Sequence, residues 1–203
     1  MDNVTVFLLS YLSGSIPFGL ILTRVFTKKD IRKIGSGNIG ATNVLRTGNK
    51  LLAIATLLFD ILKGYVPIII VMKHFPELLQ ISCLTVFLGH LFPIWIKFKG
   101  GKGVATYLGI LFALSLQLSL LFIFSWIVIS LIFKYSSVSS MFSSFSVFVI
   151  AFVKDTALLS IDTNINIDED IKTILFTLFI LIIFTHRKNI QNLKNNKEKK
   201  IKI

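Results

Sequence analysis

Residues 4–26, 51–72 and 78–96 are apolar runs, each about as long as the roughly 20-residue helix that crosses a bilayer. Short loops crowded with lysine and arginine separate them. In hydrocarbon every backbone N–H and C=O must find its partner inside the protein, and a helix supplies those partners within its own segment. The expected fold is therefore an all-α integral membrane protein. Composition agrees, because 54% of the 203 residues are hydrophobic and only 16% are charged, with a mean hydropathy of +0.78; ordinary soluble domains are excluded. The net charge of +12 sits mostly in loops beside the apolar runs, where it sets topology and meets anionic headgroups; nucleic acid is not the expected partner. Cys83 is a lone thiol inside an apolar run, so it reads as a small core hydrophobe rather than half of a disulfide or a metal ligand. The first run has no basic region before it and no small-residue cleavage site after it, and is expected to be retained as a spanning helix.

The loop with Lys28, Lys29, Arg32, Lys33, Arg46 and Lys50 against Asp30 belongs in the cytoplasm by the positive-inside rule, which leaves the N-terminus outside. Two crossings later the chain returns inside at Lys97, Lys99 and Lys102. The run over 104–133, about 30 residues, is long for one helix and short for two. A single crossing would put Lys134 and the basic tail outside and the acidic residues Asp155, Asp162, Asp168, Glu169 and Asp170 inside, against the charge rule. A hairpin of two short helices turning near 115–119 satisfies it. With 138–153 and 171–184 the expectation is seven transmembrane helices, several of them short, with the C-terminus cytoplasmic. Residues 1–203 form a single polytopic domain, ending in a basic tail over 186–203 in which Glu198 is the one acid.

Three polar clusters fall on the inner face in this topology. The first, residues 35–46, reads Gly-Ser-Gly-Asn-Ile-Gly-Ala-Thr-Asn-Val-Leu-Arg. Its glycines allow successive N–H groups to turn into one concavity, and Ser36, Thr42, Asn38, Asn43 and Arg46 add donors suited to an oxyanion. A connecting loop would account for the glycines, but not for that density of donors. The second cluster runs from Gly89-His90 through Lys99-Gly-Gly-Lys-Gly-Val-Ala-Thr106, and the third is His186-Arg-Lys-Asn-Ile190. Their convergence predicts a composite anion site. His90 either bonds a loop carbonyl or touches substrate directly. Asp60 and Lys63, one turn apart, form an intrahelical pair or prop the first loop. Gly100-Gly-Lys-Gly103 lacks the Ser or Thr that a nucleotide phosphate loop carries after its lysine, so no nucleotide is expected. Trp95, Gln191 and Leu79 stand five residues after His90, His186 and His74, so no His-x4-Asp acyltransferase signature is present. A transporter for phosphorylated solutes would place its site at the midplane, whereas these clusters sit at one interface.

The clusters carry a family resemblance. Ser13-Gly-Ser-Ile-Pro-Phe-Gly19, then Asp30-Ile-Arg-Lys-Ile-Gly-Ser-Gly-Asn-Ile-Gly-Ala-Thr-Asn43 with Arg46, form the first motif. Gly89-His-Leu-Phe-Pro93 with Phe98-Lys-Gly-Gly-Lys-Gly-Val-Ala-Thr106 is the second, and His186-Arg-Lys-Asn-Ile190 the third. In these, and more weakly in Asp60 with Lys63-Gly64 and Tyr135 with Ser137 and Ser140, the chain resembles the bacterial acyl-phosphate:glycerol-3-phosphate acyltransferases. Ile39 replaces a common proline, the turn at 47–50 is shorter, and Asn192 and Asn196 stand where arginine and glycine are typical.

The resemblance implies transfer of a fatty acyl group from acyl phosphate to the 1-hydroxyl of glycerol 3-phosphate, at the cytoplasmic face of a bacterial inner membrane. Both reactants and membrane lipid are the implied partners. The donor is already activated, so no metal, cofactor or nucleotide is implied. Ser36, Gly37, Asn38, Thr42, Asn43 and Arg46 would cradle phosphate, with His90, Gly100, Gly101 and Gly103 lining the second loop. Lys102 would neutralise charge on the departing phosphate, and Ser137 and Ser140 would add donors. His186 and Asn189 would orient glycerol phosphate, and either His186 or a substrate phosphate oxygen would take the hydroxyl proton.

Overall fold

The computed structural model describes residues 2–153 and 169–201, and every regular element among them is helical. Asp155, Asp162 and Asp168, which carry part of the charge argument, lie outside the described residues. The chain divides into two compact units, Met1–Leu114 and Ser115–Ile203. The first contains α1 (Asp2–Ser15), α2 (Phe18–Thr27), α3 (Ala41–Leu45), α4 (Lys50–His74), α5 (Leu79–Leu91) and α6 (Val104–Leu114). The second contains α7 (Leu116–Phe133), α8 (Ser136–Val153), α9 (Glu169–Thr185) and α10 (Arg187–Lys194).

Among the described residues five stretches are long and apolar enough to cross a membrane: Asn3–Thr27, Lys50–His74, Pro76–Ile96, Leu116–Phe133 and Ser136–Val153. A sixth results if Ile171–Thr185 and Arg187–Lys194, bent by 52°, count as one span. The first apolar run differs from the continuous helix expected of it. Proline lacks an N–H and drives the residue before it out of the α region, and the chain accordingly breaks at Ile16–Pro17, between α1 and α2. Residues 104–133 are interrupted at Ser115, whose extended backbone (φ −164°) ends α6 and whose hydroxyl accepts from Leu118 N at 3.3 Å to cap α7. The pieces are unequal. The helix α6 has 11 residues and rises about 16 Å, roughly half the thickness of the hydrocarbon core.

In the first unit α1 packs on α5 and α4 on α6; in the second α8 packs on both α7 and α9. Membrane helices associate through close packing rather than apolar burial, which favours small residues at their contacts. A Cβ at Gly14 of α1 would overlap the Val86 carbonyl of α5, and one at Gly64 of α4 would overlap the Thr106 carbonyl of α6. The obstacle in each case is backbone, so a side chain there must push the helices apart. Outward faces remain apolar, with Leu9, Leu51, Phe124 and Ile132 all more than half exposed, as suits contact with lipid chains. Gly64→Val is expected to destabilise the protein in detergent by about 1–3 kcal/mol, read as a lowered thermal midpoint. Leu58→Ala, on an exposed face, is expected to leave the midpoint within about 0.5 kcal/mol of wild type.

Candidate functional site

The loop between α2 and α3 is built around two polar side chains. Asp30 caps the 3-10 turn Ile31–Lys33 by accepting from Arg32 N at 3.0 Å, and its carboxylate also takes Arg32 Nη2 at 2.6 Å and Arg24 Nη2 at 3.1 Å. The Arg32 guanidinium bonded to it, with the Arg32 N–H and Arg24 adding to the effect, holds the Asp30 carboxyl well below the usual carboxylate range. Asn43 is the second organiser and is 2% exposed. Its Nδ2 donates to Asn38 O at 2.7 Å, Ile34 O at 2.9 Å and Ile31 O at 3.2 Å, while Oδ1 accepts from Ser36 N at 2.9 Å.

The structure therefore corrects the picture of an inward-turned row of free amides. Ser36 N is taken by Asn43, Gly37 N by Ile34 O at 2.9 Å, and Ile39 N by Asn38 Oδ1 at 2.8 Å. The glycines make this folding possible, since Gly35 and Gly37 have φ of +59° and +73°. Donors left to a ligand are mainly side chains: the exposed Ser36, the Nδ2 of Asn38 and the guanidinium of Arg46, which lies against Gly35. Thr42 lies in α3 and is half-buried.

The second cluster belongs to the same unit. Ile96, in the turn Ile94–Ile96, packs against the core of the first loop formed by Leu20, Ile31, Ile39 and Val44. Beyond it Gly100 N donates to Leu91 O at 3.0 Å and Gly101 N to His90 O at 3.1 Å, so these amides also serve the loop. Gly103 adopts φ +82°, and a Cβ there would strike the Phe87 ring. These bonds set the turn on which half-buried Lys102 sits. His90 is 3% exposed, its Nδ1 lies 3.0 Å from Thr106 Oγ1, and a Cβ on Gly101 would collide with its Nε2. The imidazole thus sits beneath the turn as a support. An apolar groove of about 310 Å³ is lined by Ile16, Pro17, Leu20, Ile21, Arg24, Trp95 and Ile96.

The third cluster belongs to the second unit. His186, 1% exposed, has Nδ1 2.8 Å from Ile182 O. A carbonyl only accepts, so in the neutral ring Nδ1 carries the proton and Nε2 the lone pair. Arg187 stacks on the Phe184 ring at 4.5 Å. Glu198 is the residue that motif reading missed: its Oε1 accepts from Asn189 Nδ2 at 2.6 Å and from Ser137 Oγ at 2.9 Å, and Oε2 from Asn192 Nδ2 at 3.4 Å. Its signal in the sequence is its isolation, as the only acid in a tail of lysines. The tail is folded back by Ile201 N on Lys134 O at 2.7 Å. Asn196, where the motif has glycine, takes φ +55°, a left-handed conformation that asparagine tolerates better than most residues. Ser140 accepts from Trp126 Nε1 at 3.2 Å and donates to Ser136 O at 2.8 Å, so its hydroxyl ties α7 to α8.

Apolar helices long enough to cross a bilayer, joined by glycine-rich loops that carry arginine, lysine and serine, define an integral membrane protein. The chain belongs to the glycerol-3-phosphate acyltransferase family, whose pattern matches residues 4–196. The glycerol-3-phosphate acyltransferase of Pelagibacter ubique is 53% identical over 204 residues, covering 100% of both chains. That of Brucella anthropi is 46% identical over 192 residues, covering 94% of this chain and 89% of its own. Among solved structures, the glycerol 3-phosphate form of PlsY (YgiH), an integral membrane glycerol 3-phosphate acyltransferase, matches with a TM-score of 0.89 at 33% identity. It covers 100% of this chain and 96% of that one. The lysophosphatidic acid form of the same enzyme gives 0.87 at 33% identity, with 98% and 95% covered.

Glu198→Ala removes the common acceptor of Ser137 and Asn189. Trypsin is expected to cut the tail lysines several-fold faster, and the thermal midpoint to fall by an amount equivalent to about 1.5–3 kcal/mol; Glu198→Gln, which keeps one carbonyl acceptor, falls between. Asp30 has a folded pKa below its unfolded value of about 3.9, so its stabilisation is present above that value and lost as pH falls through the lower one. The midpoint difference between wild type and Asp30→Asn is accordingly expected to stay constant from pH 8 to about 5 and to close only in stronger acid.

Proposed function

We propose that this protein transfers a fatty acyl group from acyl phosphate to the sn-1 hydroxyl of glycerol 3-phosphate, giving 1-acyl-glycerol 3-phosphate and inorganic phosphate. The observation that carries the reading is the whole-chain likeness to an enzyme crystallised in glycerol 3-phosphate and lysophosphatidic acid forms, joined to the three motifs. In the reaction the glycerol oxygen bonds to the acyl carbon, the carbon–oxygen bond to phosphate breaks, and the hydroxyl proton passes to a base. The donor is a mixed anhydride, so the chain's task is to hold two anions and offset their charge.

Arg46, Ser36, Asn38 and Thr42 are assigned to phosphate. Gly37 and Asn43 give the loop its shape, and Gly100, Gly101 and Gly103 do the same for the turn that carries Lys102. Lys102 offsets the charge that grows on the departing phosphate. His186 and Asn189 orient glycerol 3-phosphate, with Ser137 and Ser140 beside the same tail and helix contacts. Either His186 or a substrate phosphate oxygen takes the hydroxyl proton. The apolar groove lined by Leu20, Ile21 and Trp95 offers a surface for an acyl chain. On the charge rule the protein makes seven crossings of a bacterial inner membrane with the N-terminus outside, the loops and tail in the cytoplasm, and α6 as a short crossing. No metal, cofactor or nucleotide enters.

Purified protein given palmitoyl phosphate and glycerol 3-phosphate is expected to release phosphate and lysophosphatidate in equal amounts. Arg46→Ala and Lys102→Ala are expected to lower turnover by about 100-fold or more while inserting and accumulating as wild type does. Absence of product, with glycerol 3-phosphate instead carried across reconstituted vesicles, would replace this reading with transport.

A further inference from the structure

Buried between the two glycine-rich loops of the first unit is a polar network that the reaction chemistry does not use. Pro67, inside α4, has no N–H for the Lys63 carbonyl one turn earlier. Ser13 Oγ of α1 fills that place at 3.1 Å. In return Lys63 Nζ donates at 2.8 Å to Ile16 O, at the break that Pro17 makes between α1 and α2. The two proline-marked breaks are thus tied to each other across the helix interface, with Phe18 N a second donor to Ile16 O at 3.1 Å. The Lys63 ammonium also lies 2.8 Å from Asp60 Oδ1, a contact of charge rather than of hydrogen-bond direction, and 5.8 Å from the Phe18 ring centre.

The network reaches both loops. On one side α2 begins just after the Lys63-bound break, and Gly19 presses against the Ile39 carbonyl of the first loop so closely that a Cβ would overlap it. On the other side Asp60 Oδ1 is 3.9 Å from His90 Nδ1. That ring is bonded to Thr106 and packs under Gly101, next to Lys102. Both charged side chains are 2% exposed. A buried ion pair is poor value for stability alone, since apolar residues of similar volume commonly serve as well or better.

We propose that Asp60 and Lys63 are positioning residues that fix the spacing of the Arg46 loop relative to the Lys102 turn, and thereby set turnover rather than substrate affinity. The inference rests on the proposed function above. Each loop can bind its own phosphate wherever the other stands, whereas the transition state needs both placed at once.

The test is the double substitution Asp60→Leu with Lys63→Met, which removes both charges and leaves neither alone. It is expected to accumulate, since Phe18 N still donates to Ile16 O at 3.1 Å, to lose about tenfold or more in kcat, and to keep KM for glycerol 3-phosphate within about threefold. Thr106→Val, close to isosteric, cuts the His90 arm and is expected to lose about three- to tenfold in kcat with the same KM. Wild-type kcat in Thr106→Val, or in the double variant if it accumulates, overturns the proposal, as does a loss carried wholly by KM. Wild-type protein that transfers no acyl group would sink the proposed reaction instead, so the two failures are distinguishable.

Discussion

With no water in hydrocarbon, each carbonyl that a proline opens in a spanning helix must be met by a group from the protein itself. In the first unit Ser13 Oγ meets the Lys63 carbonyl that Pro67 opens, Ile16 N at 3.3 Å meets the Ser13 carbonyl that Pro17 opens, and Lys63 Nζ joins Phe18 N on the carbonyl of Ile16 at the break. Lys63 brings a charge that has to be balanced, and Asp60 balances it one turn away. The break in the first span and the buried polar contacts of His90 and Thr106 adjoin that pair.

The loops obey the same economy. An Asn43 side chain that binds three carbonyls and one amide, and an Asp30 that gathers two arginines, spend on architecture the donors and acceptors that a motif reading assigns to ligand. What the first loop then presents outward is a small set of side chains on a rigid frame. On the proposed function, such a frame would hold donors preorganised for developing charge. The tail follows the same logic in the second unit, where Glu198 gathers Ser137, Asn189 and Asn192 onto one carboxylate.

Much of this was legible in the linear pattern. Long apolar runs announce helices, the turn expected near 115–119 falls where Ser115 breaks the chain, and the single acid in the tail is conspicuous once sought, whereas residues 4–26 read as one helix although Pro17 interrupts it. His90 could be narrowed to two roles, support or contact, but not to one. The roles of Asn43 and Ser140 were misleading in the sequence, because a buried asparagine or serine looks the same in the chain whether it faces a ligand or a neighbouring carbonyl. The bend between α9 and α10 gives no signal in composition at all.

By itself the sequence determined the class of molecule, the position of most spanning helices and the family, because hydropathy, charge asymmetry and short motifs are local or additive along the chain. Only the tertiary structure decided which polar groups are already bonded to one another. That depends on which residues distant in the chain come within about 3 Å, as Lys63 does with Ile16 and Glu198 with Ser137, and on directions in space that no one-dimensional pattern encodes.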